Sequence, residues 1–402
     1  MRSPSGSHRR VVALALVVVG SLAGSAGPTG AAPAHPEGAR RRIRDLGIVI
    51  GTLPTGRYNA ITDVKGVRVG QVTLRTGEGK LVPGRGPVRT GVTAILPHGG
   101  DLWREKVPAA TWVLNGTGEM TGSIWINTQG ALEVPVVLTN TMNVGRAMDG
   151  VVQYMLKHYP EIGITDDVVA PTVAECDDSF LNDARGLHVR PEDVVRAIEE
   201  AREGPVEEGA VGAGTGMTSY RFKGGIGTAS RVLPRREGGY TIGVLVNANM
   251  GTRRDLTVDG VPVGREIRTL MPKEEPPEGS IIIVVATDAP LDHLKLQRLA
   301  SKAAIGLART GTISNHGSGD IFLAFSTGNR VPHYPVPLTY TLTVVADDHL
   351  DPIFRAAEEA TEEAILNALT MATTTVGRDG NTAYALPLDR LVEIMKRYGR
   401  LP

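Results

Sequence analysis

Short apolar runs separated by Gly, Pro, Asn and Asp make up most of the chain beyond about residue 43. "GVRVGQVTL", "GVTAILP", "TWVLNGTG", "VPVVLTNT" and "YTIGVLVNANMG" each read as strands bounded by turn residues. Ile281 to Ala286 differs from these. It is a continuous, β-branched apolar run, the pattern of a strand covered on both faces. Helical spacing in "MDGVVQYMLKHY" puts Val151, Val152, Met155 and Leu156 on one face. "RPEDVVRAIEEAREG" opens with Pro in a first turn and closes with Gly, as helices do. Beyond Ser280 the pattern predicts a strand, the helix "DHLKLQRLASKAAIGLART", the strand "IFLAFST" and a further strand "LTYTLTVVAD". Two helices, "PIFRAAEEATEEAILNALT" and "DRLVEIMKRYG", then close the chain. Strands and helices are mixed without a strict βαβ alternation and without a repeat, which predicts an α+β layered fold with sheets between helices.

Charge and composition narrow the function classes. Lys+Arg and Asp+Glu both number 43, so no charge bias points to nucleic acid or an anionic membrane. Aromatic residues are 4%, too few for base-stacking platforms. At the N-terminus, Arg9-Arg10, the apolar "VVALALVVVG" and the small-residue stretch "GSAGPTGAAPA" predict a secretory signal peptide and its cleavage region over residues 1–33. The paired arginines permit twin-arginine export. The apolar run is too short to span a bilayer comfortably, so no stable membrane anchor is expected after processing. A single cysteine, Cys176, excludes an intramolecular disulfide.

Four places could carry chemistry. "MPKEEPPEG", charged and Pro-rich, ends directly before the apolar strand, with Gly279-Ser280 at the junction. That junction is either an ordinary loop-to-strand connection or a point of chain cleavage that leaves Ser280 as a new N-terminus. "TISNHGSGDIFLAFSTGN" places Ser318 and Asp320 in a Gly-punctuated turn, where a hydroxyl beside a carboxylate can orient or relay a proton, or simply start a strand. "GVLVNANMG" sends Asn247 and Asn249 to one face, and an Asn amide can serve an oxyanion hole or form a turn. "GAVGAGTGM" lacks the G-x-G-x-x-G spacing and follows a helix end, so it is not a dinucleotide loop. Cys176 and His188 sit in no thiol-nucleophile signature, and the nine histidines show no metal-ligand spacing. No metal and no cofactor is expected.

Taken together, "RIRDLGIVIGTLPTGRYNAITDVKGVRVGQVTL", "LTNTMNVG", "GAVGAGTGM", "FKGGIGTASR", "IGVLVNANMG", "EGSIIIVVATDAPL", "SGDIFLAFSTGN" and "GRDGNTAYALP" resemble, in order, the DmpA-type serine aminopeptidases. That family includes L-aminopeptidase/D-esterases and β-peptidyl aminopeptidases, and the resemblance runs from about Arg42 to about Pro387. It implies an N-terminal-nucleophile-like αββα sandwich that cuts itself between Gly279 and Ser280. A chain of residues 34–279 and a chain of residues 280–402 would then remain together as one catalytic domain, and relatives form homo-oligomers of that unit. The resemblance assigns Ser280 as nucleophile, Ser318 and Asp320 to proton transfer, Asn249 to the oxyanion hole, and Glu175 to the substrate's amine. Asp177 and Ser179 depart from relatives that carry Tyr and Gly there, so Asp177 stands as a substrate-binding candidate of altered character.

The chemistry agrees with that assignment. A serine hydroxyl needs a base beside it. A freed Ser280 would carry its own α-amino group, with an ordinary pKa of about 7.7–8.0. The expected substrates are short peptides, amides or esters with a free N-terminal amine. Two other readings stand beside this one. An acyltransferase related to ornithine acetyltransferase would use Thr where this chain has Ser280, and an uncleaved, non-enzymatic exported protein of the same fold would remain one chain.

Overall fold

Ile281–Thr287, the run without polar alternation, is buried at every residue and lies in the middle of the larger of the two main sheets. Its side chains divide between two apolar clusters. Ile281, Ile283 and Val285 enter a core shared with two long helices, and Ile282, Val284 and Ala286 enter the core between the sheets. This is why the run carries no polar alternation. The computed structural model describes residues 38–277 and 279–402. The signal-peptide expectation for residues 1–33 therefore lies outside the described residues.

The first sheet has the order β1 (Arg68–Thr76), β2 (Val88–Leu96), β4 (Val136–Asn140) and β5 (Thr172–Cys176). The second has the order β3 (Glu105–Gly116), β9 (Gly319–Ser326), β8 (Ile281–Thr287), β7 (Thr241–Ala248) and β6 (Gly225–Val232). Two-residue strands at Ala131–Leu132 and Val331–Pro332 pair with β3. Helices α2 (Val144–His158) and α3 (Pro191–Glu199) pack on the first sheet, while α4 (His293–Arg309) and α5 (Asp351–Met371) pack on the second. The layers thus run helices, sheet, sheet, helices: the expected αββα sandwich. A short helix α1 (Ser123–Gln129) follows β3, and α6 (Leu388–Arg397) ends the chain.

Local chemistry accounts for the helix starts. Pro191 occupies the first turn of α3, where a missing N–H costs nothing. Asp292 caps α4 by accepting from the Lys295 N–H at 2.9 Å. α2 departs from its expected face. Ala147, Gly150, Val151 and Met155 are buried, whereas Leu156 is exposed. Gly150 explains the rotation: a Cβ there would lie 2.5 Å from Val194 Cβ, so the glycine lets α2 approach α3 closely.

The expected strand "LTYTLTVVAD" does not form. Val345 N–H bonds to Pro290 O and Asn329 Nδ2 to Thr343 O, with Leu338 and Tyr340 exposed. Alternation specifies a strand only where a sheet edge receives it, and these backbone groups find loop partners instead. Among the described residues no helix is long and apolar enough to cross a membrane.

Candidate active site

Three chain segments meet at the N-terminal end of β8. Parallel pairing of β8 with β9 places Ile281 opposite Asp320, so Ser280 falls beside the "GSGD" turn. Ser280 is nearly buried, and its Oγ accepts the Gly319 N–H at 3.1 Å. That contact leaves the hydroxyl hydrogen available for donation. On the other flank, the Asn249 N–H donates to Ser280 O at 3.0 Å, extending the β7–β8 pairing by one residue. Ser280 is therefore held on both flanks, its hydroxyl by the Gly319 N–H and its backbone carbonyl by the Asn249 N–H.

The turn before β9 builds a serine–carboxylate cluster. Ser318 Oγ donates to Asp320 Oδ1 at 2.5 Å, and Ser314 Oγ donates to Asp320 Oδ2. Burial pushes the Asp320 carboxyl above the ordinary range, and the hydroxyl donors Ser314 and Ser318 oppose that rise. The turn is pinned from the end of β3: Asn115 Nδ2 donates to Asn315 O at 2.7 Å and Thr117 Oγ1 to His316 O at 2.8 Å. A register shift between Asp320 and Ile321 marks a bulge against β3, the kind of irregularity that re-aims side chains beside a site. Gly319 is required for close approach rather than for a left-handed turn. A Cβ there would lie 2.5 Å from Thr117 O.

Asn249 has both ends of its amide engaged. Oδ1 accepts the Thr218 N–H at 2.7 Å, and Nδ2 donates to Asp177 O at 2.8 Å. One Nδ2 hydrogen remains, on an amide whose orientation is thereby fixed. Asn247 does not join the site: its side chain is fully buried and makes no hydrogen bond. Its carbonyl accepts from the Cys176 thiol at 3.5 Å. Burial pushes that thiol well above its usual range, which disfavours the thiolate a nucleophile needs. His188 is occupied elsewhere, with Nε2 2.9 Å from Asp183 Oδ2.

The acidic run at the end of β5, Glu175 to Asp178, is not a solvated turn. Glu175 is 3% exposed, with Oε1 accepting the Glu119 N–H at 3.0 Å and Oε2 accepting the Thr141 hydroxyl. Burial raises its carboxyl above the ordinary range, opposed by the Thr141 and Glu119 hydrogen bonds. Gly118 links it to the serine turn: a Cβ there would lie 3.1 Å from Gly319 Cα and 3.2 Å from Glu175 Oε1. Asp177 spends its carboxylate on its own turn, accepting Ser179 N–H at 2.8 Å and Ser179 Oγ at 3.0 Å. Asp178 is buried, accepts from Asn182 Nδ2 at 3.0 Å, and is pushed up to about 7 by burial.

"GAVGAGTGM" supplies packing. A Cβ at Gly214 would lie 2.4 Å from Ile226 N, and buried Lys223 donates to the carbonyls of Gly214, Met217 and Gly224. Among the described residues no group of His, Cys, Asp and Glu could hold a metal ion.

Residues 59–383 match peptidase family S58. The chain belongs to peptidase family S58. It is 46% identical over 375 residues to the β-peptidyl aminopeptidase BapA of Sphingosinicella microcystinivorans, covering 90% of this chain and 93% of that one. A solved structure from Pyrococcus horikoshii OT3 superposes with a TM-score of 0.86 at 51% identity, over 90% of this chain and 100% of that one. The L-aminopeptidase D-Ala-esterase/amidase of Ochrobactrum anthropi is described as a prototype of the serine aminopeptidases and a variant of the Ntn hydrolase fold. It superposes with a TM-score of 0.84 at 45% identity, over 90% of this chain and 99% of that one. As an S58 member the protein is a hydrolase, an aminopeptidase.

Ser280, Ser318, Asp320 and Asn249 converge in this S58 chain, with Glu175 behind Gly118. Sequence reasoning missed Ser314, Asn115, Thr117 and Thr141. Ser314 stands in "TISNHGSGD", Asn115 and Thr117 in "TWVLNGTG" and Thr141 in "LTNTMNVG", but nothing in those stretches marks these residues.

Proposed function

We propose that this aminopeptidase activates itself by cutting Gly279–Ser280 and then uses Ser280 as its nucleophile on short peptides, amides or esters bearing a free N-terminal amine. The observation that supports this reading is the placement of Ser280 Oγ: fixed by the Gly319 N–H and preceded by a glycine pressed against Asn249.

In the first reaction Ser280 Oγ attacks the Gly279 carbonyl carbon. The C–N bond breaks, the Ser280 nitrogen takes up a proton as an amine, and an ester joins Gly279 to Oγ. Water hydrolyses that ester, leaving a Gly279 carboxylate and a free Ser280 hydroxyl. The new α-amino group is then the nearby base for the second reaction, as in enzymes with an N-terminal nucleophile. Ser280 attacks the substrate carbonyl, the amine or alcohol departs with a proton, and water releases the acyl group. Ser318 passes or orients protons, with Asp320 fixing its hydroxyl. The remaining Asn249 Nδ2 hydrogen stabilises the oxyanion, a contribution typically worth about 10²–10³-fold in kcat for one donor. Glu175 pairs with the substrate's ammonium, and Asp177 shapes the pocket through its turn and its carbonyl. The basic and apolar N-terminal segment directs export, and the two chains stay together in an oligomer.

The experiment compares an aminoacyl p-nitroanilide with its N-acetylated form, on the wild type and on Glu175→Gln. The wild type is expected to cleave the free amine far faster, and Glu175→Gln to lose most of that preference. Equal cleavage of both compounds by the wild type would remove Glu175 from its role.

A further inference from the structure

The segment entering the cut site is not wholly exposed. Lys273, Glu274 and Glu275 face solvent, but Pro276 is buried, and Pro276, Pro277 and Gly279 line a small cleft with Asn249, Ser318 and Arg221. The cleft shares Arg221, Thr252 and Asn315 with a wider cavity of about 580 Å³, within the size range of small-ligand sites. Neither wall contains Glu175 or Asp177.

Arg221 is the unspent cation of these walls. Arg253 donates to the backbone carbonyls of Tyr220, Arg221, Ile267, Thr269 and Leu270, so its guanidinium is a structural bolt. Arg254 lies beside Asp255 at 3.5 Å and is mostly exposed. Among the described residues Arg221 makes one side-chain contact, Nη2 to Glu275 Oε2 at 3.3 Å, and its Nη1 is buried with no partner there. Glu275 belongs to the segment that ends at the cut and is itself 81% exposed. A buried guanidinium nitrogen without a partner costs free energy that an arriving acceptor recovers.

The backbone holds this side chain in place at a cost. Tyr220 and Arg221 have φ of 50° and 57°, in the two-residue turn between Thr218–Ser219 and Phe222–Lys223. Such turns ordinarily use Asn and Gly. Here Tyr220 is locked by its hydroxyl, 2.6 Å from Thr310 Oγ1, and Arg221 O accepts from Arg253 Nη2 at 2.6 Å. Two bulky residues in a left-handed turn persist because their surroundings over-determine them, a condition that gathers at ligand clamps.

We propose that Arg221 is the carboxylate-recognising residue of the substrate site, selecting short peptides whose leaving residue carries a free C-terminal carboxylate, with Glu275 standing in for that carboxylate in the uncut chain. This rests on the aminopeptidase reading above. The site would then have two poles, Glu175 for the ammonium and Arg221 for the carboxylate, fitting a zwitterionic dipeptide. A guanidinium also offers paired donors that match a carboxylate in shape.

The test measures kcat/KM for a dipeptide with a free C-terminal carboxylate and for its C-terminal amide, on the cleaved wild type, Arg221→Gln and Arg221→Lys. The readout is the acid-to-amide ratio, which a general loss of folding or catalysis does not move. The wild type is expected to favour the acid by roughly ten-fold or more. Arg221→Gln should bring the ratio near unity through KM, and Arg221→Lys should retain part of it. A wild-type ratio near unity, or a preference that survives in Arg221→Gln, overturns the proposal. The first of these results is also the one expected if Arg221 instead holds the Gly279 carboxylate of the enzyme's own cut end. Failure of the aminopeptidase reading is separate and visible: the wild type would then cleave neither compound, nor a free-amine p-nitroanilide.

Discussion

Gly279 lies against Asn249 so closely that a Cβ on it would sit 1.6 Å from the Asn249 carbonyl oxygen and 2.9 Å from its Nδ2. The residue before Ser280, the proposed nucleophile, is thus a glycine for lack of space, and its neighbour is the amide proposed to serve the oxyanion. Gly279→Ala should retain the fold, because Pro276, Pro277 and Gly279 lie in no helix or strand, but should push the carbonyl proposed to be cut away from Asn249. The uncut chain is expected to accumulate on a denaturing gel. Wild-type cleavage in Gly279→Ala would show that the close approach has no part in processing.

Asp320 accepts two hydroxyls, and the two should differ in effect. Ser318→Ala removes the group proposed to handle protons and is expected to lower kcat by about 10²–10⁴-fold. Ser314→Ala removes only one stabilising donor from the carboxylate, so Asp320 should ionise less readily. The acid limb of the pH–kcat/KM profile should then move up by about one unit or more, with a smaller loss at the plateau. Identical profiles for Ser314→Ala and the wild type would make Ser314 a bystander.

Burial of Asp320 also has a stability consequence with a definite sign. Its folded carboxyl titrates above its unfolded value of about 3.9, so the unfolded chain loses the proton first. The associated stability is fully present below that value and is lost as pH rises through the folded one. Asp320→Asn should therefore be more stable than wild type at neutral pH and lose that advantage near pH 3, while turning over slowly. Thermal unfolding at both pH values checks this, and a variant equally stable or less stable at neutral pH contradicts it.

Asn249→Ala removes the Thr218 and Asp177 contacts along with the free hydrogen. A fall in kcat of about 10²–10³-fold is expected for an oxyanion donor. A change confined to KM would make Asn249 a ground-state binder.

Parts of this site were legible in the chain because local pattern and chemistry coincide there. The Ile281–Thr287 run announces a strand buried on both faces, and Ser280 stands at its first step. Ser318 and Asp320 are two residues apart in a turn. Asn115 and Thr117, at the end of β3, and Thr141, after β4, were not legible, because their partners Asn315, His316 and Glu175 lie far from them in the chain. Asn247 and Asn249 look equivalent by alternation, yet one is sealed within the β-sandwich and the other stands just past the end of β7. "LTYTLTVVAD" shows the opposite error: a strand-like pattern with no edge to receive it.

The most direct measurement is the mass and N-terminal sequence of the polypeptides in the purified protein, beside those of Ser280→Ala. The account predicts two chains in the wild type, one beginning "SIIIVV", and a single uncut chain without peptidase activity in the variant. An intact wild-type chain that hydrolyses peptides, or efficient cleavage at Gly279–Ser280 in Ser280→Ala, would contradict it.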